Sequence, residues 1–348
     1  MNLFISNFRY KNRCLLFIFT GLVAYILLNV VIGFLYSRVT SKNYFIDEKF
    51  SKSAHMLFNT AEAKDIVFLG NSRTLYQVST NFFKEAGIRI YNFGASGRQI
   101  SDYPWMMYKV IKTNAKVVVL SVDVEDFYEE PKETRSPTGF DLMCYMLSNQ
   151  SKLFIIHEMY NYIKSKNIIW SFSPVIFTHI CGIIDTINKN RFFGTGGDRK
   201  TKFSSDNKAL VALDCTPFAI EQLKYSKTLV KCTNGDGVLL GNSNKKDYNM
   251  MILLKKNVNK NTLKLVDQIQ SIAYKNNKKL IVLLMPTYNT RYKFDVQFLK
   301  TKINSEILDL SNMRILDFMW TDDGHLNNFG REYYSRTLVK MLSHVVIH

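Results

Sequence analysis

Three features of the sequence predict an α/β fold with a five-stranded, mostly parallel sheet. Short β-branched and apolar runs at Ile66–Leu69, Lys116–Val124 and Lys279–Met285 fit buried strands and are too short for buried helices. Helical patterning falls between them, at Thr80–Ala86, Tyr103–Thr113 and Lys255–Lys275. Several of the runs close on glycine or proline, so each strand ends in a turn, the edge at which open α/β sheets bind ligands.

The 348 residues suffice for one good-sized domain carrying an insertion. A formal charge of +17 implies an anionic neighbourhood, or simply a solvated basic surface. The lysines are spread along the chain, with no arginine-rich arm or aromatic nucleic-acid signature among them. This pattern favours a membrane or an anionic glycan over nucleic acid.

Residues 1–13 carry Arg9, Lys11 and Arg13, and Cys14–Tyr36 then run without a charged side chain. A run of about 20 apolar residues spans a bilayer as a helix. This one exceeds the apolar core of a secretory signal and lacks a small-residue cleavage site, so it reads as an uncleaved anchor. The flanking cations put the amino terminus in the cytoplasm, with everything after Tyr36 outside a cytoplasmic (inner) membrane crossed once. Residues 37–64 read as a polar tether with a short helix.

The domain at 65–348 opens with the first strand, which runs into Gly70-Asn71-Ser72. A second strand follows through Arg89-Ile90-Tyr91-Asn92-Phe93-Gly94, and the third is centred on Val117–Val122. Residues 126–250 interrupt the alternation with helical patches at Leu142–Ser165, an apolar run at Asn167–Ile184 and a glycine-rich loop at Gly194–Gly197. The apolar run is short and holds Pro174 and His179, which favours an inserted cap over a second span. Lys255–Lys275 form an amphipathic helix with Leu263, Leu265, Val266, Ile269 and Ile272 as its buried stripe. The fourth strand ends at Pro286, a short fifth is expected at Met313–Phe318, and a helix from about Arg331 to His344 closes the chain.

Gly-Asn-Ser is ordinary turn chemistry, and Val238-Leu239-Leu240-Gly241-Asn242-Ser243 repeats it. Only Ser72 has the company a nucleophile requires: a base, an orienting carboxylate and oxyanion donors. Asp322-x-x-His325 supplies base and carboxylate in one loop, with Asp323 the nearer carboxylate in sequence. No Cys-x-x-Cys or histidine-paired spacing marks a metal site, and no cofactor motif is present. An extracytoplasmic domain makes a Cys215–Cys232 disulfide an expectation, the spacing leaving other pairings open.

These residues resemble the SGNH hydrolase family, also called GDSL esterases and lipases, whose fold is a flavodoxin-like three-layer α/β/α sandwich. Gly70-Asn71-Ser72 resembles its first block and Asn92-Phe93-Gly94-Ala95-Ser96-Gly97 its second. Ser121-Val122-Asp123-Val124 stands at the third and Asp322-x-x-His325-Leu326-Asn327 at the fifth. The resemblance covers residues 65–125 and 279–345. It implies Ser72, His325 and Asp322 as a triad, and the Gly94 amide as an oxyanion donor.

Asp123 departs from the family, which usually has an asparagine there. An ionised carboxylate at that position repels an oxyanion, unless burial keeps it protonated or it serves instead to tie loops together. The resemblance further implies a cell-envelope acyltransferase or esterase acting on acetyl-like esters of a surface polysaccharide. Its implied partners are an anionic glycan and a multispanning membrane protein that delivers the acyl group. A scaffold or glycan-binding protein with an impaired site is the alternative.

Overall fold

The computed structural model describes residues 62–132, 213–223, 227–242, 250–253, 258–288, 290–293 and 296–346, with isolated helical positions at 16–31 and 52–56. Five strands form one all-parallel sheet: β1 (Ile66–Gly70), β2 (Ile90–Gly94), β3 (Val117–Asp123), β8 (Lys279–Met285) and β10 (Glu306–Asp309). Their order in space is β10-β8-β3-β1-β2. Ile66 lies level with Ile90 on one side and Val117 on the other, so the carboxyl ends of β1, β2 and β3 finish together.

Alternation along each strand divides the apolar residues between two cores. Val67, Leu69, Val118, Leu120, Val282 and Leu284 face helices α3 (Tyr103–Val110) and α4 (Lys260–Lys275). Ile66, Phe68, Val119, Ile281 and Leu283 face α2 (Thr80–Glu85) and α6 (Asn328–Val346). Helices thus cover both faces of the sheet, which explains why its strands read as continuous apolar runs. The stripe expected on α4 is the face it buries, with Val266, Ile269 and Ile272 in the core and Leu263 and Leu265 at its margin.

The expected fifth strand is displaced. Glu306–Asp309, not Met313–Phe318, pairs with β8, placing Glu306 beside Ile281. Asp309 then accepts from the Ser311 amide and hydroxyl, and Met313 N–H bonds back to Leu310. That turn takes the chain off the sheet edge, and Asp317–Met319 close into a 3₁₀ turn. Two other boundaries move for capping reasons. Asn259 caps α4, and Asn327 accepts from Phe329 and Gly330 N–H, so α6 begins directly after the Asp322–His325 turn.

The end of the expected tether is docked. Lys52, Ser53, His55 and Met56 are buried, and Lys52 Nζ donates to the Asn92 and Gly94 carbonyls at 2.8 Å. It thereby satisfies carbonyls on the outer edge of β2, which would otherwise lie open.

The described part of the expected insertion contains a three-stranded antiparallel sheet of β4 (Pro217–Gln222), β5 (Thr228–Cys232) and β6 (Gly237–Leu240). Cys215 and Cys232 are joined in a disulfide. Strand β7 (Met250–Leu253) pairs in parallel with β9 (Thr290–Lys293), and α5 (Val296–Lys302) precedes β10. Residues 133–212, including the helical patches, the apolar run and the glycine-rich loop, lie outside the described residues.

The chain divides into two units, 1–39 with 138–197 and 40–137 with 198–348. In the first, the described positions are helical and leave Leu16, Phe19, Leu27, Leu28 and Val31 exposed. Most of the expected anchor lies outside the described residues. Among those described, no helix is long and apolar enough to cross a membrane.

Candidate active site

Strand β1 delivers Ser72 to the carboxyl edge of the sheet through a close turn. A Cβ on Gly70 would overlap the Thr74 side chain and press on Ser121, so the turn requires glycine there. Asn71 caps the next helix by accepting from Arg73 N–H at 2.9 Å, which makes Ser72 the first residue of α1 (Ser72–Gln77). This short helix was not anticipated from the sequence.

The Asp322–His325 loop comes to the same edge. Thr321 N–H bonds to the His325 carbonyl at 2.8 Å, and Trp320 bridges Leu326, closing residues 320–326 into a tight turn. From helix α1, Gln77 Nε2 donates to the Gly324 carbonyl at 2.9 Å.

The three expected side chains meet. Ser72 Oγ lies 2.9 Å from His325 Nε2, and His325 Nδ1 lies 2.8 Å from Asp322 Oδ1. Asp322 Oδ1 also accepts from the Gly324 and His325 amides at 2.9 Å, and Oδ2 accepts from Lys227 Nζ at 2.8 Å. Burial alone would raise the Asp322 carboxyl, but the bond and charge of His325 together with Lys227 and the Gly324 amide hold it well below the usual carboxylate range. Asp323 is exposed at the surface.

The two expected oxyanion groups behave differently. Gly94 N–H donates to Asn92 Oδ1 at 3.0 Å, and a Cβ at Gly94 would collide with the Leu75 backbone. Gly94 is therefore a close-packing position between β2 and α1, and its amide is already committed. Asn92 also donates through Nδ2 to the Thr74, Leu75 and Val78 carbonyls, which is why its oxygen turns towards Gly94. The second glycine of that block, Gly97, lies in the turn beyond, at φ +68°. Ser96, in the same turn, shares a hydrogen bond with Tyr76 at 3.0 Å, and the Tyr76 ring stands edge-on to His325 at 5.4 Å.

Asp123 takes the loop-tying role. Its Oδ1 accepts from Arg73 Nη1 at 2.7 Å, and its Oδ2 from Asn71 Nδ2 at 3.4 Å. The same Arg73 nitrogen donates to Thr287 Oγ1 at 2.9 Å, so one guanidinium links the turns after β1, β3 and β8. Behind Asp123, burial and the Asp123 charge push the Asp126 carboxyl up to about 7.

Lys227, Tyr76, Arg73 and Gln77 are site residues that sequence reasoning missed. Tyr76 was discoverable, since it lies four residues after Ser72 and one helical turn brings both to one face. Nothing local marks Lys227. Among the described residues no group of three His, Cys, Asp or Glu side chains is arranged to hold a metal. No family model, curated protein or solved structure matches the chain.

Proposed function

We propose that this protein is an SGNH-type serine acyltransferase or esterase acting through an acyl-Ser72 intermediate. The observation that carries the reading is the relay from Ser72 Oγ to His325 to Asp322, at 2.9 and 2.8 Å, on the carboxyl edge of a parallel sheet. His325 Nε2 takes the Ser72 proton as Oγ bonds to the ester carbonyl carbon. The ester C–O bond then breaks, and the same proton passes to the departing alkoxide. A sugar hydroxyl or water, deprotonated by His325, attacks the acyl-serine and releases Ser72. Asp322 holds the imidazole by Nδ1 and stabilises its charged form.

The oxyanion donors of this reading are the Ser72 amide and the Gly94 amide, the latter shared with Asn92 Oδ1 at 3.0 Å. Arg73 offsets the charge of Asp123 at the position where the family uses an asparagine amide. Two donors instead of three imply a slower catalyst, since one oxyanion donor is worth about 100- to 1000-fold in rate.

The wider reading is a flavodoxin-like domain held by one transmembrane helix at 14–36, outside the cytoplasmic membrane. It acts on acetyl-like esters of an anionic surface polysaccharide, with acyl groups supplied by a multispanning membrane partner. The apolar run at 14–36, the +17 charge and the Cys215–Cys232 disulfide support that location and substrate class. The commitment of Gly94 and the carboxylate at Asp123 favour the second reading, a glycan-binding scaffold.

Intact-mass analysis of the full-length protein after exposure to an activated acetyl ester separates the two. A single acetyl adduct, absent in Ser72→Ala, is expected. No adduct in either protein, with glycan binding retained, would establish the scaffold.

A further inference from the structure

We propose that Lys227 is a positioning residue of the Ser72 centre, its ammonium fixing the outer oxygen of Asp322 so that the inner oxygen stays on His325. The proposal rests on the acyl-serine reading above and adds a residue from outside the blocks that carry the family resemblance.

The two oxygens of Asp322 are used unequally. Oδ1 takes the Gly324 amide, the His325 amide and His325 Nδ1, while Oδ2 takes Lys227. A carboxylate with only Oδ1 engaged can swing about its Cβ–Cγ bond and exchange its oxygens, carrying the imidazole with it. A charge-assisted bond of 2.8 Å to Oδ2 opposes that swing. Lys227 and Asp322 are both partly buried, with side chains 22% and 30% exposed, so water screens the pair only in part.

Lys227 comes from an element that is itself immobilised. It immediately precedes β5, and Cys232 at the far end of that strand is bonded to Cys215. The buried Arg331 of α6 then ties this sheet to the parallel-sheet domain through Asp214 at 3.0 Å, Asp236 at 2.7 Å and the Gly237 carbonyl at 3.2 Å. Gly237 packs so closely on Tyr76 that a Cβ there would approach the ring to 2.7 Å. The three-stranded sheet therefore reaches the triad at two points, Asp322 through Lys227 and His325 through Tyr76.

Other charged and titratable groups also face the turn. Arg73 lies beside Gly324, with Nε and Nη2 3.6 and 3.7 Å from where a Cβ would sit, but its Nη1 is paired with Asp123. Tyr76 presents its ring edge to His325, and Asp323 stays at the surface. Of these groups only Lys227 is bonded to Asp322 Oδ2.

The test is the rate of Ser72 acylation by an activated acetyl ester in the full-length protein, measured against ester concentration for wild type, Lys227→Gln and Lys227→Arg. Displacing a catalytic group by about an ångström costs up to about 100-fold. Lys227→Gln should therefore slow the maximal rate about 10- to 100-fold with half-saturation nearly unchanged, and Lys227→Arg should recover most of the loss. Should Lys227→Gln melt early, Lys227→Met, which keeps the stem, replaces it. A maximal rate unchanged in Lys227→Gln, or Lys227→Arg no better than Lys227→Gln, overturns the proposal and leaves Ser72 chemistry standing. A wild type that is never acylated overturns both.

Discussion

Phe68-Leu69-Gly70-Asn71-Ser72 and Leu239-Leu240-Gly241-Asn242-Ser243 are nearly the same pentapeptide, each ending a strand, yet they meet different surroundings. Gly70 ends an inner strand of a parallel sheet, where the turns after β2, β3 and β8 converge on the same edge. Asn71 starts a helix there, and Ser72 finds His325. Gly241, at φ +115°, ends the last strand of an antiparallel sheet, and the Asn242 side chain meets Asn327 Nδ2 at 3.1 Å. Ser243 lies outside the described residues. Parallel strands deliver successive turns to one edge and antiparallel strands send them to alternate ends, and the first copy is handed a base and a carboxylate.

The sharpest way to break this comparison is to remove each serine. Ser72→Ala should reduce ester turnover by about 10⁶-fold, the cost of deleting a triad nucleophile, while Ser243→Ala should leave it unchanged. Equal losses, read as initial rates on an activated ester, would remove the distinction between the two turns.

The next largest effect belongs to the carboxylate that Ser72 acquires through His325. Asp322→Asn should lower the maximal rate about 10⁴-fold, because the imidazole loses its orienting partner, and Asp323→Asn should not. A comparable fall in Asp323→Asn would reassign the pair.

The second strand end belongs to a sheet closed by a disulfide across a separation of 17 residues. Replacing Cys215 and Cys232 together by serine should cost about 3 kcal/mol by loop entropy, read as a lower denaturation midpoint. Unchanged stability would mean that the Arg331 pairs alone hold this sheet.

The smallest effect sharpens the first strand end. The Asp126 carboxyl, pushed up to about 7 from the ordinary carboxylate range, retains its proton in the fold at pH values where the unfolded chain has lost it. Its stabilising contribution is complete below about pH 4 and disappears as pH rises through about 7. Asp126→Asn should therefore melt a few degrees above wild type at pH 8, with the gap closing by pH 4. A gap independent of pH would show that Asp126 does not titrate in that range.

Much of this was legible in the residues. Ile66–Gly70, Val117–Asp123 and Lys279–Met285 matched their apolar runs to within a residue or two, because continuous burial leaves a local signature. The Asp322–His325 pair was legible from a spacing of three, which one turn can close. The fifth strand is displaced because Met313-Arg314-Ile315-Leu316 is more apolar than Glu306-Ile307-Leu308-Asp309, and the open edge of β8 decided between them. The donor role of Gly94 is an implication of the family resemblance and has no local signature, since glycine in such a block permits either a free amide or a close packing contact. In the fold the Gly94 amide bonds to Asn92 Oδ1.

The sequence by itself determined the central buried strands, the parallel sheet and the Asp322–His325 pair, since burial period, turn chemistry and short spacings are properties of neighbours in the chain. Tertiary structure alone decided that Arg73 would offset Asp123, that Lys227 would grip Asp322 and that Gly94 would be spent on Asn92. Ser72 and His325 stand 253 residues apart, and Lys227 and Asp322 stand 95 apart. Charges and hydrogen-bonding groups at such separations are paired by the folded geometry, and no local pattern records the pairing.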